Sequence, residues 1–404
     1  KDGEVKIIPQ KGQKEPKLID PNAGKPIELL VMGQDTRDGA DNASIGGGDT
    51  SEGSHQADTT MVVQISADRS YINLVSIPRD SLVDAPSCET SKGTISAQYN
   101  VMFNSIFANG YTTGDDLASA ASCTVNAVNS LTGLNIQNFI VVDFNGLKDM
   151  INAIGGVKIC IPSDVKDPYT GLDLTKGLHQ LDGLAATQYA RTRYSLGDGS
   201  DVQRTTRQQY LIKQLLQQAL DKNIFTHTSE LYQLAKSALK SLNISQGLAD
   251  TATLAGLAMS LKNLNVSHMY TRTLPVVQAP SDPNRVVWDS SADELWTKIR
   301  EGKPFVEQPA QDSSSSDSAN TNNDSSNTSG QAQDSTPSDQ DNAQATPQNT
   351  RVADGVEKTA DGKYIDTATG GEIDTETGAV KDINTGQVLG ISEAYLNNVV
   401  CPVQ

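Results

Sequence analysis

Residues 57–80 read ADTTMVVQISADRSYINLVSIPRD, and they contain two short apolar runs, TMVVQI (60–65) and YINLVSI (71–77). A third run, IELLVM (27–32), precedes them. All three are rich in β-branched residues, which predicts strands. Apolar patterning predicts further strands at 138–143, 157–161 and 268–276, and helices at about 113–131, 147–156, 204–222, 229–242 and 248–263. Because strands alternate with helices, we predict an α/β fold with a central mixed β-sheet sandwiched between helices.

Composition divides the chain of 404 residues, whose formal net charge is −17. Residues 307–353 are almost all Ser, Asp, Asn, Gln, Thr and Ala, and such a segment cannot bury enough apolar surface to fold. We therefore predict four parts, which are a polar linker at 1–25, a folded domain at 26–306, a disordered linker at 307–353 and a short C-terminal segment at 354–404.

The C-terminal segment repeats a five-residue motif every 8 residues, starting at Asp366, Asp374 and Asp382. Each copy reads Asp-x-x-Thr-Gly, which is typical of turns, so short strands linked by turns are expected. Calcium binding is the alternative, although each copy offers few carboxylates.

Several classes of function find no support in the sequence. The acidic chain has neither a helix-turn-helix signature nor zinc-finger spacing, so no nucleic-acid partner is expected. It contains no Gly-x-Ser-x-Gly elbow, and no P-loop or Gly-x-Gly-x-x-Gly motif follows a strand. No run of 18 apolar residues occurs, and the chain opens with the polar stretch KDGEVKIIPQKGQKEPK. We interpret that start as a linker that follows a hydrophobic anchor helix upstream of Lys1.

Four cysteines, Cys88, Cys123, Cys160 and Cys401, are widely spaced and form no Cys-x-x-Cys pair. An even set of this kind favours two disulfides and an oxidising compartment, and four buried free thiols are the alternative. We hypothesise the pairs Cys88–Cys123, which would join a loop to a helix, and Cys160–Cys401, which would join the C-terminal end to the core. Sequence alone leaves the connectivity open.

The segment YARTRYSLGDGSDVQRTTRQQ (189–209) concentrates Arg191, Arg193, Arg204 and Arg207 in an acidic chain. Guanidinium groups suit phosphate oxygens, and the predicted start of a helix at this point would add to the attraction. On that helix Arg204 and Gln208 share a face, since they are four residues apart. The alternative, a solvated basic helix face, does not explain the two arginines upstream, so we predict a phosphate site.

Three further motifs lie at strand ends, where α/β sheets bind ligands. They are Gly33-Gln34-Asp35-Thr36-Arg37, Ala57-Asp58-Thr59-Thr60 and Ser76-Ile77-Pro78-Arg79-Asp80. Asp35 and Asp58 could share one hard divalent cation, whereas a turn-capping Asp58 is the alternative. Arg79 could bind an anion, or it could form a structural pair with Asp80.

These motifs, in this order, resemble the LytR–CpsA–Psr family of bacterial cell-wall transferases. The matching segments are LLVMGQDTR, ADTTMVVQIS, NLVSIPRD, FIVVDFNGLKDMINAIGGVKI and GLHQLDGLAATQYARTR…SDVQRTTRQQYLIKQLL, between about residues 27 and 222. The resemblance implies a mixed sheet between helices with an apolar pocket for a polyprenyl chain. It also implies transfer of a glycopolymer from a polyprenyl-pyrophosphate carrier to peptidoglycan or a surface protein, at the outer face of the membrane.

The resemblance also assigns roles to individual residues. Asp35 and Asp58 would hold Mg²⁺ or Mn²⁺ against the pyrophosphate. Its oxygens would be bound by Arg79, Arg191, Arg193, Arg204 and Gln208, with Arg37 and Arg207 as further candidates; of these, Arg79, Arg191 and Arg193 would be catalytic. The general base is not identified by the resemblance; Asp58 or Asp80 could serve. The sequence departs from the family pattern in having Gln-Ala-Asp-Thr at 56–59, where Arg-Ser-Asp-Thr is common, and in a glycine-rich insertion between Asp35 and Asp58.

Two other functions remain open at this stage. With water as the acceptor, the same site would make the chain a polyprenyl-pyrophosphate hydrolase. Without turnover, the chain would be a regulator that binds a lipid or a glycan.

Overall fold

The computed structural model describes residues 3–12, 24–35, 55–193, 200–307 and 349–402. Within these ranges, no helix combines the length and apolar character needed to cross a membrane. Arg37 and most of the glycine-rich insertion lie outside the described residues, as does the part of the predicted disordered linker between 308 and 348.

The strands are β1 (Glu4–Val5), β2 (Ile27–Asp35), β3 (Gln56–Ile65), β4 (Ile72–Ile77), β5 (Leu82–Ala85), β6 (Cys88–Thr90), β7 (Gly93–Ile95), β8 (Gln98–Met102), β9 (Asn138–Val142), β10 (Val157–Ile161), β11 (Val165–Asp167), β12 (Leu172–Leu174), β13 (Gly177–Leu181), β14 (Asn243–Ser245), β15 (Met269–Thr273), β16 (Val276–Ala279), β17 (Asp282–Trp288), β18 (Thr350–Ala353), β19 (Val356–Lys358), β20 (Tyr364–Asp366), β21 (Glu372–Ile373), β22 (Ala379–Lys381) and β23 (Val388–Ile391). The helices are α1 (Phe103–Gly114), α2 (Leu117–Thr132), α3 (Phe144–Ile154), α4 (Gly183–Arg191), α5 (Asp201–Asp221), α6 (Thr228–Ser241), α7 (Thr251–Ser260), α8 (Ala292–Arg300) and α9 (Glu393–Tyr395).

Seven strands form the central sheet, in the order β1-β14-β9-β2-β3-β4-β15. The pairs β1–β14, β9–β2 and β4–β15 are parallel, whereas β14–β9, β2–β3 and β3–β4 are antiparallel. The sheet is therefore mixed, as predicted. Its antiparallel centre is the stretch from 57 to 80, whose two strands pair from Thr60 opposite Ile77 to Ile65 opposite Ile72.

Both faces of the central sheet are apolar, and each receives every second side chain, because successive residues of a strand point to opposite sides. On one side, Leu30 and Met32 of β2 pack in a cluster with Phe107 of α1 and residues of α2 and α8. On the other side, Ile27 and Leu29 pack in a cluster with residues of α5, α6 and the segment that follows. The prediction of a central sheet between helices is confirmed.

The edge strand β1 and the helix α1 were not predicted. Glu4–Val5 adds an edge strand within the predicted polar linker at 1–25, where two residues are too few to show a periodic pattern. The predicted helix at 113–131 corresponds to α2, which begins at Leu117 because Asp116 caps it by accepting a hydrogen bond from the Ser119 N–H, and α1, which ends at Gly114, was not predicted. The sequence of α1 is poor in helix formers, and the burial of Phe103 and Phe107 compensates.

The C-terminal segment forms a six-stranded antiparallel meander, β18 to β23. This repeat sheet confirms the prediction of short strands linked by turns, and it begins at Thr350, four residues before the predicted boundary. Its apolar side packs on the main domain, where Tyr395 and Leu396 join a cluster with Tyr210 and Leu211 of α5. Glu393 also forms an ion pair with Lys213.

Both hypothesised disulfides are present in the structure. Cys88–Cys123 joins the β6–β7 hairpin to α2, with 5.5 Å between the Cα atoms. Cys160–Cys401 joins β10 to the C-terminal end, with 6.2 Å between the Cα atoms. The second bond therefore connects the main domain to the repeat sheet.

Candidate functional site

A cavity of about 670 Å³ opens at the edge of the sheet where β2, β4 and β9 end and β3 begins. One end is apolar, and its lining comprises Val31, Met61, Val142, Phe144, Leu147, Leu211, Ile212 and Leu215. The other end is polar, and its lining comprises Asp58, Thr59, Arg79, Arg191, Arg193, Arg204 and Gln208. The structure thus brings together seven residues that come from the second strand-end motif, the third one and the arginine-rich segment.

Asp58 is the central acid of the polar end. In the β2–β3 ladder Gly33 pairs with Thr59 and Gln34 with Ala57, so Asp58 is the extra residue of a β-bulge. Bulges redirect a side chain, and they are common beside functional sites. Asp35 pairs with Gln56 in the same ladder, but its side chain lies outside what the structure describes.

Arg79 follows β4 directly, and its guanidinium forms a close ion pair with Asp58. Its Nη1 lies 2.6 Å from Asp58 Oδ1. Asp80, the alternative partner of the guanidinium, is farther away, at 3.9 Å from Arg79 Nε. The Arg79–Asp80 pair is therefore secondary to the contact between Arg79 and Asp58.

The first turns of α5 supply Arg204 and Gln208. The Arg204 guanidinium donates to the Asp58 carbonyl at 2.8 Å and lies 3.9 Å from its carboxylate. Gln208 accepts a hydrogen bond from the Thr59 hydroxyl at 2.8 Å and donates to the Ala190 carbonyl at 3.1 Å. These contacts link α5 to both β3 and the end of α4.

Arg191 and Arg193 approach from the end of α4. Arg193 Nη2 lies 3.8 Å from Asp58 Oδ2, and its side chain is 28% exposed. The Arg191 guanidinium carbon lies 4.2 Å from the centre of the Phe144 ring, which is a cation–π contact. Arg191 therefore lies where the apolar and polar parts of the lining meet.

The pKa values of two arginines at the polar end are shifted in opposite directions. Burial acts against the charged form of Arg79, but Asp58, Asp201 and Asp80 outweigh it and raise the pKa of Arg79. Burial, followed by repulsion from Arg204 and Arg79, lowers the pKa of Arg193. The guanidinium groups thus repel one another at Arg193, and an anion bound there would relieve that repulsion.

The structure corrects the assignment of Arg207 to the phosphate site. Its side chain is buried, and it donates to the Thr192 carbonyl instead of lining the cavity. At 100° per residue, Arg207 and Gln208 point to opposite sides of Arg204, by about 60° and 40°. Arg207 therefore supports the backbone between Arg191 and Arg193.

Asp201 has a role that the sequence interpretation missed. Ser200, which precedes it, caps α5 and accepts a hydrogen bond from the Gln203 N–H. Asp201 Oδ1 lies 2.5 Å from Arg204 Nη2 and 3.4 Å from Arg79 Nε. Its spacing of three residues before Arg204 was the available signal, since such pairs meet on a helix.

Asp58 is the described carboxylate to consider as a metal ligand at the polar end. The described residues contain no group of three or more His, Cys, Asp or Glu side chains that could hold an ion. Asp58, however, presents a carboxylate to the cavity, and Mg²⁺ is commonly held by one or two carboxylates together with substrate phosphates. Asp58 therefore fits a site that a phosphate ligand would complete.

The fold and the site define a class of α/β proteins that can hold an anionic group at the polar end of an apolar cavity. A family model described as the LytR_cpsA_psr family matches residues 4–301. The chain belongs to the LytR–CpsA–Psr family.

Curated relatives include the cell wall biosynthesis protein LcpA of Corynebacterium glutamicum, which is 27% identical over 310 residues, 72% of this chain and 58% of the relative. The polyisoprenyl-teichoic acid–peptidoglycan teichoic acid transferase TagU of Enterococcus faecalis is 26% identical over 220 residues, 54% of this chain and 62% of the relative. The chain thus spans about three fifths of the length of these relatives.

Solved structures share the fold. The crystal structure of TagV from B. subtilis has a TM-score of 0.51 at 20% sequence identity, and the match covers 69% of this chain and 97% of that one. A protein of Streptococcus agalactiae has a TM-score of 0.54 at 19% identity, with 71% and 91% covered. At these identities the likeness is one of fold.

Proposed function

We propose that the chain is a phosphotransferase that moves a glycopolymer from a polyprenyl-pyrophosphate carrier to a cell-wall acceptor. One observation carries this proposal: the guanidinium groups of Arg79, Arg193 and Arg204 surround Asp58 at the polar end of a cavity whose other end is apolar. Such a cavity is matched by a ligand with a concentrated anion at one end and a hydrocarbon chain at the other.

The pyrophosphate would occupy the space beside Arg79, Arg191, Arg193 and Arg204. Guanidinium forks bind phosphate oxygens through paired hydrogen bonds, and a partly buried site strengthens them. The polyprenyl chain would follow the apolar lining between β2, α3 and α5.

The reaction requires little covalent work from the protein. The acceptor hydroxyl oxygen attacks the phosphorus that carries the sugar, the bond from that phosphorus to the bridging oxygen breaks, and polyprenyl phosphate leaves. The acceptor's proton goes to a base, for which Asp58 and Asp80 are the candidates. The arginines stabilise the charge that spreads over the phosphoryl oxygens.

We also propose that Asp58, with Asp35, holds Mg²⁺ or Mn²⁺ when the donor is bound. The ion would neutralise phosphate oxygens and act as a Lewis acid there. Titration calorimetry with Mn²⁺ and inorganic pyrophosphate gives a readout other than activity. We expect pyrophosphate to tighten Mn²⁺ binding in the native chain and to lose that effect in Asp58→Asn; equal tightening in both would contradict this role for Asp58.

The acceptor and the location are proposed from the family. The TagU relatives are named for transfer of teichoic acid to peptidoglycan, which supports peptidoglycan as the acceptor, with a surface protein as the alternative. Two disulfides suit an oxidising compartment, and they support a position at the outer face of the bacterial membrane. A hydrophobic helix upstream of Lys1 would provide the anchor.

The decisive experiment incubates the protein with a lipid-linked glycan and Mg²⁺, with and without peptidoglycan. We expect polyprenyl phosphate to be released and glycan to appear on the acceptor only when both substrates are present. Release of phosphorylated glycan at the same rate without acceptor would show a hydrolase instead. Binding of the donor without any release would show a regulator that binds the lipid-linked glycan.

A further inference from the structure

A tyrosine at the mouth of the cavity has no part in the reaction described above. Tyr169 lies in the turn between β11 and β12, lines the cavity, and is 72% exposed. Exposed aromatic rings are common, and a single one carries little meaning by its exposure alone. A binding role for Tyr169 therefore depends on which contacts hold the turn and on which residues lie beside it.

The turn is fixed by contacts of its backbone and of its neighbours' side chains. The buried carboxylate of Asp167 accepts a hydrogen bond from the Tyr169 N–H at 2.9 Å, and the Asp167 carbonyl accepts from the Gly171 N–H at 2.8 Å. Gly171 has a φ of +80°, a conformation that costs glycine little. These contacts set the backbone position of Tyr169.

A hydroxyl pair ties this turn to the arginines. The Thr170 and Thr192 hydroxyl oxygens lie 3.0 Å apart, and the Thr192 hydroxyl donates to the Gln188 carbonyl at 2.9 Å. Thr192 stands between Arg191 and Arg193, two arginines of the proposed pyrophosphate site. Tyr169 is therefore held next to those arginines, on the exposed side of the cavity.

We propose that Tyr169 is a stacking platform for the pyranose ring that is joined to the pyrophosphate of the donor, an inference that rests on the proposed function. When the phosphates are at the arginines and the hydrocarbon chain is in the apolar end, the sugar must leave through the open mouth. A flat, rigid ring with a polar edge offers contact area at a low cost in conformational entropy. The phosphate site and the ring thus bind adjoining parts of one ligand.

The test compares two probes, polyprenyl pyrophosphate and polyprenyl-pyrophosphoryl N-acetylglucosamine, by titration calorimetry in detergent. We expect Tyr169→Ala to weaken binding of the sugar-bearing probe by about five- to tenfold, the scale of one aromatic contact, and to leave the bare probe unchanged. Tyr169→Trp should keep the affinity. Tyr99→Ala is the matched control, because Tyr99 is 75% exposed and does not line the cavity.

Equal affinities of the native protein for both probes would overturn the platform, as would a Tyr169→Ala variant that binds both probes normally or loses both equally. A variant that changes only the KM for the acceptor would assign the ring to the acceptor and would also overturn the proposal. Arg79→Ala keeps the two questions apart. If it binds both probes normally, the pyrophosphate site itself is wrong, whatever Tyr169 does.

Discussion

The polar end of the cavity and the repeat sheet both depend on aspartates, in opposite ways. In the repeat sheet, Asp374 Oδ1 accepts hydrogen bonds from the N–H groups of Glu376 and Thr377, at most three residues away. In the cavity, Asp58 contacts Arg79, 21 residues away, and Arg204, 146 residues away. Asp374 and Asp382 complete local turns in the repeat sheet, whereas Asp58 joins distant segments. The first kind of role is visible as a spacing in the sequence, and the second requires the whole fold.

Loss of the disulfide Cys160–Cys401, which connects the main domain to the repeat sheet, should have the largest effect, and that effect is on stability. Cys160–Cys401 closes a loop with a sequence separation of 241, and Cys88–Cys123 one of 35. Chain entropy then predicts that loss of the long loop lowers the free energy of unfolding by about 5 kcal/mol, and loss of the short one by about 4 kcal/mol. Denaturant unfolding of Cys160→Ser/Cys401→Ser and Cys88→Ser/Cys123→Ser would measure both. A cost near zero for the long loop would mean that the repeat sheet is stable without its link to the main domain.

The arginines around Asp58 should affect activity next. Arg79→Ala removes a guanidinium aimed at the phosphoryl oxygens, so we expect kcat/KM for glycan transfer to fall by about 10²–10³, or about 3–4 kcal/mol. Arg285→Ala is the control, since Arg285 lies on β17 away from the cavity lining. If both variants transferred glycan at the native rate, the distant segments that meet at Asp58 would have no catalytic role.

Arg207 tests whether a neighbouring arginine on the same helix acts in a different way. Arg207→Ala leaves the Thr192 carbonyl without this donor and opens space in a buried region. We expect the free energy of unfolding to fall by about 2 kcal/mol, compared with less than about 0.5 kcal/mol for Arg285→Ala. Binding of polyprenyl pyrophosphate by the folded variant separates the two roles. A loss of affinity as large as that of Arg79→Ala, without a loss of stability, would return Arg207 to the phosphate site.

The same contrast explains what could be predicted from the sequence. Five strands of the central sheet and the turns of the repeat sheet carry periodic or fixed spacings, and these were predicted, whereas β1 and β14 are too short to show a pattern. Helix α1 was missed because its stability comes from burying Phe103 and Phe107 rather than from its own propensity. In the site, the order of the motifs along the chain predicted that Asp58, Arg79 and Arg204 belong to one site. Phe144 was missed as a partner of Arg191, because the two meet only in the folded chain.

The repeat turns should show the smallest effect, and they also decide between turn chemistry and a cation site. Asp374→Ala removes an acceptor for two N–H groups, so we expect the free energy of unfolding to fall by about 1 kcal/mol with transfer activity unchanged. Asp374→Asn keeps an acceptor oxygen but loses the charge, and it should recover most of that stability because Asn forms the same turn. Thermal unfolding with and without Ca²⁺ completes the comparison. An Asn variant as unstable as the Ala variant, together with stabilisation of the native chain by Ca²⁺, would mean that the charge matters and that these aspartates hold a cation.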